Sequence, residues 1–251
     1  MINQIKVYLG VISAVVLWGT SWLATKTVLT ELSAYNTAVL RVLVAGMIYF
    51  ILLKLLYPNQ TLKREDWLYT WGIGAFCIGG YFLIQCAGLS RTTTVNSSII
   101  LGSSPILTTL ISAKVFGHER LTLPKLLGAL VGFTGIFLVF SGGKGLSLGG
   151  ATLKGDLIML GSALTWAFFG VLSKRLVDKY DPFVAIAYGY IFGAITLLPL
   201  VFIDSFLPSV KGMSLKGWVA LIYLAGFCSV FAFYAWYQGI KVLGASRTAV
   251  F

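Results

Sequence analysis

Charged residues are scarce in this chain of 251 residues, and acidic residues are the scarcest of them. Only 11% of the residues are charged, where a soluble domain carries about 25%, and only 8 are Asp or Glu. One histidine and three cysteines give no metal-ligand spacing and no disulfide framework. The sequence therefore predicts no catalytic residues, no metal site and no cofactor, and we expect that the chain is not an enzyme.

Apolar residues take the place of the missing charge. They make up 58% of the chain, and the mean hydropathy is +0.89. This composition is typical of an all-α polytopic membrane protein. A net charge of +11 would indicate a nucleic-acid partner in a soluble protein, but in a membrane protein it reflects basic cytoplasmic loops. We expect the chain to lie in a lipid bilayer and to bind no nucleic acid.

Eight stretches are long and apolar enough to cross a bilayer as helices, because a span needs about 20 such residues. Their predicted bounds are 7–28, 36–56, 67–89, 94–116, 123–141, 155–177, 182–203 and 218–242, and a ninth begins near Ala245. The first could pass for a signal peptide. No small-x-small cleavage site follows it, so we interpret it as a retained span.

The basic residues near the span ends predict the orientation. With the N-terminus in the cytoplasm, twelve of them fall on the cytoplasmic side and six on the outer side. Short cytoplasmic loops carry the excess of Lys and Arg. We therefore expect a multi-pass protein of the cytoplasmic membrane with its N-terminus inside.

The chain also repeats itself. Trp18 in "LWGTSWLATK" recurs 148 positions later as Trp166 in "TWAFFGVLSK", and Cys77 recurs as Cys228 at an offset of 151. Each copy holds five spans, an odd number, so the second copy enters the membrane from the opposite side. The predicted organisation is a first repeat over 1–141, a glycine-rich linker over 142–154 and a second repeat over 155–251.

The second copy is the shorter one. Phe251 aligns with Ile100, so the last 40 or so residues of the first repeat have no counterpart. We interpret the chain as cut short at its C-terminus, with about eight complete helices and the start of a ninth.

Several segments resemble a known family. They are "LWGTSW" in the first span, "AVLRVLVAG" in the second, "LSRTTTVNSSIILGSSPILTTLISAKVFGHERLT" across the fourth and "LLGALVGFTGIFLVFSG" in the fifth. In their order and spacing they resemble the EamA domain of the drug/metabolite transporter superfamily. The resemblance implies ten helices in two inverted five-helix halves, and movement of metabolites, amino acids or toxic compounds across the cytoplasmic membrane, often outward.

These patterns favour a secondary transporter, an exporter of small metabolites such as amino acids or related amphipathic compounds. Inverted repeats provide alternating access to one site near the middle of the membrane. Two alternatives stay open: a membrane assembly or regulatory protein that moves no solute, and a lipid-modifying membrane enzyme, although the sequence offers no acid–base cluster for the latter. Monomer and homodimer are both compatible with the sequence.

The candidate substrate-binding residues are polar or aromatic side chains predicted inside the spans: Trp18, Arg41, Gln85, Asn96, Trp166, Tyr188 and Tyr234. Arg41 is the only charge well inside a span, roughly 8 Å deep. A charge at such depth faces a cavity or a partner, so Arg41 either contacts the substrate or satisfies neighbouring carbonyls.

Two further features concern helix geometry. Trp18 and Trp166 lie near mid-membrane, where each indole N–H needs an acceptor, so they either line a cavity or pack with the N–H on a carbonyl. Pro105 should kink the fourth span, because it removes a backbone hydrogen bond. It is a candidate hinge, and a fixed kink is the alternative.

Overall fold

The described part of the chain is helical. The computed structural model describes residues 4–115, 123–141 and 152–251, and these residues contain no strand. The helices are α1 (Gln4–Leu29), α2 (Ala34–Leu56), α3 (Arg64–Leu89), α4 (Thr94–Ala113), α5 (Leu123–Ser141), α6 (Leu153–Lys179), α7 (Pro182–Phe202), α8 (Phe206–Lys211), α9 (Leu215–Leu243) and α10 (Ala245–Ala249). Most of the predicted linker, residues 142–151, lies outside the described residues.

Within the part of the chain that the structure describes, seven helices are found to be long and apolar enough to cross a membrane: α1, α2, α3, α4, α6, α7 and α9. Four of them begin at a capping side chain that accepts a hydrogen bond from a backbone N–H of the first turn: Ser33, Thr93, Asp181 and Ser214. Such caps fix where a helix begins even where the flanking residues are apolar. The prediction of an all-α polytopic membrane protein is confirmed.

The corresponding helices of the two repeats run in opposite directions. Lys26, near the end of α1, donates to the carbonyl oxygen of Thr92 at 3.0 Å, and the Thr92 hydroxyl donates to Asp156, near the start of α6, at 2.5 Å. The end of α6 lies instead beside the start of α3, where Lys179 contacts Asp66 at 2.5 Å. We call the first side of the bundle the α1-end face and the second the α6-end face.

The third spans of the two repeats are exchanged. Gly88 of α3 packs on Met159 of α6, and a Cβ at Gly88 would meet the Met159 Sδ at 2.7 Å. Gly239 of α9 packs on Val11 of α1, where a Cβ would meet a methyl carbon at 2.7 Å. The two glycines are 151 positions apart and their partners 148, the same offsets as in the sequence repeat. Each third span therefore packs on the first span of the other half.

Glycine also sets the approach of α7 to α3. A Cβ at Gly74 would lie 2.4 Å from the carbonyl oxygen of Gly189 and 2.8 Å from the backbone nitrogen of Gly193. Side chains larger than hydrogen are excluded there, because small residues are what let membrane helices approach backbone to backbone. This contact joins α3 of the first repeat to α7 of the second.

Both exchanged helices contain a π-helical stretch at the same place in the repeat. It covers Ile73–Gly80 in α3 and Tyr223–Phe231 in α9. A π turn widens the helix and is often found at functional sites. It also changes which faces the residues after it present to the bundle.

The fourth span breaks where Pro105 predicts a kink. Regular α-helix ends at Leu101, Gly102 and Ser103 form a turn, and helix resumes at Ser104 with the proline in its first turn. The Ser103 hydroxyl donates to the carbonyl oxygen of Ile100 at 2.6 Å, so part of the interrupted backbone is satisfied locally. Regular helix is therefore interrupted at the position where a kink is predicted.

Substituting Gly74→Ala should destabilise the protein, because the new methyl carbon meets two backbone atoms that cannot move aside. Overpacking of this kind costs about 1–3 kcal/mol. At roughly 2–4 °C per kcal/mol for a chain of this size, we expect the melting temperature in detergent to fall by several degrees. Gly72→Ala is the matched control on the same helix, since nothing lies within 4 Å of its added Cβ among the described residues. Equal melting temperatures for the two variants would contradict the close α3–α7 contact.

Candidate functional site

The two repeats meet at a pair of tryptophans. Trp18 of α1 and Trp166 of α6 pack edge to face with ring centroids 5.1 Å apart. Phe233 and Trp236 of α9 lie 5.3 Å and 5.0 Å from Trp18. Aromatic pairs prefer such inclined arrangements over face-to-face stacking. Both tryptophans lie near the middle of their helices, so the centre of the bundle is an aromatic cluster to which both halves contribute.

The π stretch of α9 supplies backbone acceptors to side chains of α1 and α2. The indole N–H of Trp18 donates to the carbonyl oxygen of Cys228 at 2.8 Å. The hydroxyl of Tyr49 donates to the carbonyl oxygen of Val230, also at 2.8 Å. A carbonyl oxygen has two lone pairs, so it can accept from a side chain as well as from the backbone. Trp18 thus has its N–H on a carbonyl while its ring stays in the central cluster.

Arg41 is buried at the same level. Its side chain is 3% exposed, its Nε–H donates to the hydroxyl of Ser229 at 3.1 Å, and its guanidinium carbon lies 4.3 Å from the centre of the Phe82 ring. No carboxylate within the described ranges forms an ion pair with it. A guanidinium has five N–H donors, and the Nε–H is the one that has a protein partner among the described residues.

A cavity of about 330 Å³ opens beside this guanidinium. It extends from the central cluster towards the α1-end face. Its lining comes from both repeats: Val15, Trp18, Gly19, Ser21, Trp22, Arg41, Tyr81, Phe82, Gln85, Ser98, Leu101, Gly102, Ser104, Pro105, Trp166, Phe233, Trp236, Ala249, Val250 and Phe251. Small-molecule sites are concave and mostly apolar with a few converging polar groups, and this lining has that character.

Five residues singled out from the sequence lie together at this cavity: Trp18, Arg41, Gln85, Pro105 and Trp166. Gln85 donates from its amide nitrogen to the Tyr81 hydroxyl at 2.6 Å, one turn before it on α3. That bond uses only the amide nitrogen, so the carbonyl oxygen of Gln85, a residue that lines the cavity, can still accept a hydrogen bond.

The other three candidates lie elsewhere. Asn96 donates to the two carboxylate oxygens of Asp156 at 3.1 Å and 3.3 Å, and it thereby ties α4 to the start of α6. Tyr234 accepts a hydrogen bond from Gln238 on its own helix. Tyr188 packs on Phe192, also on its own helix. None of the three candidates lines the cavity.

Sequence reasoning missed several residues of the site. Phe82, Phe233 and Trp236 are apolar residues in apolar helices, and no pattern in the sequence marks them. Ser229 follows Cys228, a repeated position that could have directed attention to it. Tyr190, which packs against Phe233 in the core at 5.3 Å, lies one position from the repeat-equivalent of Arg41, as Tyr188 does on the other side.

The bundle is closed between the central cluster and the α6-end face. Tyr49, Phe169, Tyr190 and Tyr237 are fully buried there. Tyr49 and Tyr190 lie 5.0 Å apart, Phe169 and Tyr237 lie 5.5 Å apart, and the Tyr237 hydroxyl is hydrogen-bonded to that of Ser173 at 2.8 Å. The bundle is therefore filled with aromatic rings between the central cluster and the α6-end face, whereas the cavity lies on the other side of that cluster.

Ionic contacts complete the closure at the α6-end face. The Asp66 side chain is 1% exposed and binds Lys179 at 2.5 Å, Arg175 at 3.6 Å and the hydroxyl of Tyr180. Lys179 also contacts Glu65 at 2.6 Å. A carboxylate this deeply buried needs such partners, so these residues hold the start of α3 on the end of α6.

A corresponding contact holds the α1-end face. Glu31 accepts hydrogen bonds from the backbone N–H and the hydroxyl of Ser214, each at 2.7 Å. The hydroxyl and then the backbone bond lower the pKa of the Glu31 carboxyl from its ordinary value, so it is ionised at neutral pH. Glu31 and Lys179 are 148 positions apart, so both faces are joined at equivalent places of the repeat.

Fold and cavity together define a polytopic α-helical membrane protein built from two inverted repeats around a central site. The chain belongs to the EamA-like transporter family, which it matches over residues 5–141 and 153–251. The drug/metabolite transporter resemblance seen in the sequence is confirmed. Membership of this family implies a small-molecule substrate and a bilayer environment.

Its relatives include proteins described as uncharacterized transporters. YyaM of Bacillus subtilis is 33% identical over 184 residues, which cover 71% of this chain and 59% of the relative. A protein of Archaeoglobus fulgidus is 27% identical over 250 residues, covering 98% of this chain and 84% of the relative. A crystal structure of a protein 23% identical in sequence aligns with a TM-score of 0.71, over 97% of this chain and 84% of the other. That likeness shows the fold.

Replacing Asp66 with Asn should destabilise the α6-end face, because a hydrogen bond to a charged group contributes about 1.5–3 kcal/mol. At about 2–4 °C per kcal/mol for a chain of this size, we expect the melting temperature in detergent to fall by roughly 3–12 °C. Asp178→Asn is the control: Asp178 is exposed and pairs with Lys174 one turn away on the same helix, an arrangement worth at most about 1 kcal/mol. A fall of the same size in both variants would show that the buried contacts of Asp66 stabilise the protein no more than the exposed pair of Asp178 and Lys174.

Proposed function

We propose that this chain is a secondary transporter that exports small amphipathic metabolites, such as amino acids and related compounds, by alternating access. The observation that carries the proposal is the cavity of about 330 Å³ at the meeting of the two repeats, open in one half of the bundle and closed by packed aromatic rings in the other. One site with one closed side is the arrangement that alternating access requires.

The proposed substrate site is the cavity wall around four of the residues expected from the sequence: Trp18, Arg41, Gln85 and Trp166. The tryptophans offer apolar surface for the body of a solute. The arginine and the glutamine offer polar groups that would fix its orientation. Pro105 lines the same space and is the proposed hinge, because the break beside it lets the two parts of α4 tilt independently.

The basic residues at the span ends support a cytoplasmic N-terminus. In that orientation the α6-end face is the cytoplasmic one, and the cavity opens outward. Export then requires the aromatic packing around Tyr49 and Tyr190 to separate so that solute can enter from the cytoplasm. The same distribution of basic residues at the span ends supports the cytoplasmic membrane as the location of the protein.

Transport can be measured with the purified chain in proteoliposomes loaded with labelled alanine, leucine or phenylalanine, one at a time. We expect at least one of these solutes to be released faster than from control vesicles that carry the same solute but no protein. Arg41→Gln and Trp18→Ala should each lower that rate at least tenfold, because both remove groups from the cavity wall. Folding of each variant is checked by its melting temperature.

The matched controls are Arg91→Gln and Trp71→Phe. Arg91 is exposed and donates to the carbonyl oxygen of Ala87, and Trp71 donates to Thr196 at the periphery. Both should transport like the wild type. Release unchanged by Arg41→Gln and Trp18→Ala would refute the site, and a folded wild type that moves none of the three solutes would refute amino acids as its substrates.

A further inference from the structure

The charge of Arg41 is incompletely compensated by the protein around it. Burial of an ion costs several kcal/mol unless it is paired, and the side chain is 3% exposed. Ser229 accepts one of its hydrogen bonds, and the Phe82 ring offers a cation–π contact. Neither group carries a negative charge.

Among the described residues that line the cavity there is no Asp or Glu side chain that could balance this charge. Arg41 is the only charged residue among the residues that line it. Two other buried carboxylates are already engaged at opposite ends of the bundle: Asp156 accepts from Thr92 and Asn96, and Asp66 from Lys179 and Tyr180. In the part of the chain that the structure describes, the cavity is thus a positive site in a mostly apolar wall.

The orientation of the guanidinium is fixed. The Nε–H points at the Ser229 hydroxyl and the Phe82 ring lies against the planar group, so the two terminal nitrogens are left for the cavity that Arg41 lines. A planar fork of this kind matches a carboxylate with two parallel hydrogen bonds. Ser229 acts here as a positioning residue, since it touches the arginine rather than the cavity.

An ammonium group would find no such match. A zwitterion brought into this wall would desolvate its ammonium with no Asp or Glu side chain of the described lining opposite it. The acceptors within reach are neutral, such as the Gln85 carbonyl oxygen, and they compensate a buried charge only in part. The same argument applies more strongly to a cation, which the arginine also repels.

From these observations we infer that the cavity prefers organic anions: among solutes with an apolar or aromatic body and one carboxylate or sulfonate group, those without an ammonium group bind more tightly than those that carry one. The anion would lie on the terminal nitrogens of Arg41 and the apolar body against the rings of Trp18 and Trp166. This inference rests on the proposed function, because it names the charge class within the amphipathic metabolites proposed above. It ranks a deaminated acid above the amino acid of the same skeleton.

Three probes with the same phenyl group and a similar chain separate the charge classes: 3-phenylpropionate, L-phenylalanine and 2-phenylethylamine. Equilibrium binding to the purified chain in detergent is measured by calorimetry. We expect the anion to bind at least tenfold tighter than the zwitterion, and the amine to bind more weakly still. Equal or tighter binding of the zwitterion or the amine would overturn the inference, as would the failure of all three to bind.

The variants test the role of the arginine. Arg41→Gln should weaken binding of 3-phenylpropionate at least tenfold and abolish its advantage over phenylalanine. Arg41→Lys keeps the charge but offers a point donor instead of a fork, so the preference should survive with weaker binding. It also keeps the test decisive if the glutamine variant does not fold. A preference that persists in Arg41→Gln, or one that is lost in a folded Arg41→Lys, counts against the inference.

Ser229→Ala provides a readout of positioning. We expect binding of 3-phenylpropionate to weaken several-fold with the order of the three probes unchanged, whereas Arg91→Gln should leave all three affinities at their wild-type values. An unchanged affinity in Ser229→Ala would refute the positioning role.

Binding and flux separate the two proposals. If 3-phenylpropionate binds as expected but vesicles loaded with labelled 3-phenylpropionate or with any of the three labelled amino acids release none of them, transport fails and the anion site stands. If vesicles release phenylalanine and binding shows no preference for the anion, the charge selectivity fails and transport stands.

Discussion

Three side chains from the first repeat reach the same turn of the second. Trp18 donates to the carbonyl oxygen of Cys228, Arg41 to the hydroxyl of Ser229, and Tyr49 to the carbonyl oxygen of Val230. In a bilayer core no water is available to satisfy polar groups, so each of these donors must find a protein acceptor. The π stretch of α9 supplies all three within three consecutive residues. The depth of the tryptophan, the burial of the arginine and the position of the cavity all depend on this stretch.

The matching stretch of α3 is used in a different way. Around Gly74 the neighbour is the backbone of α7, at Gly189 and Gly193, and the approach is too close for any side chain between them. One π stretch therefore meets polar side chains of α1 and α2, while the other meets glycine backbone. The two repeats have equivalent helices, but different groups pack against those helices. This difference leaves a cavity in one half of the bundle and packed aromatic rings in the other.

Helix exchange makes the two halves interdependent. Since α3 packs on α6 and α9 on α1, neither repeat has a complete core of its own. The end contacts follow the same exchange: Lys179 joins the end of α6 to the start of α3, and Glu31 joins the end of α1 to the residue that caps α9. These contacts use residues 148 positions apart, yet one is an ion pair and the other a carboxylate on a helix start. A contact can thus be preserved through the repeat while its chemistry changes.

The sequence predicts much of the fold because span length, charge at the span ends and the odd number of spans per repeat are one-dimensional properties. Pro105 and the two central tryptophans could be placed for the same reason, since each depends on depth along a helix. Which face of a helix points inward is a different matter. Spans that are apolar on all sides show little periodicity, and successive residues on a helix point about 100° apart.

Tyr188 and Tyr190 show how the unknown helix face affects the choice of residue from the sequence. They flank the repeat-equivalent of Arg41 at one residue on either side, and two positions on a helix turn the side chain by about 200°. Tyr190 is accordingly in the core against Phe233, whereas Tyr188 lies against Phe192 on its own helix. The repeat offset changes from 148 in the first spans to 151 in the third, a difference of three residues. A shift of one residue already changes the face of a helix on which a side chain lies. The offset alone therefore does not predict which α7 residues face the core. Only the packing of Gly189 and Gly193 on Gly74 fixes the register of α7, and with it the side chains that α7 turns towards the centre.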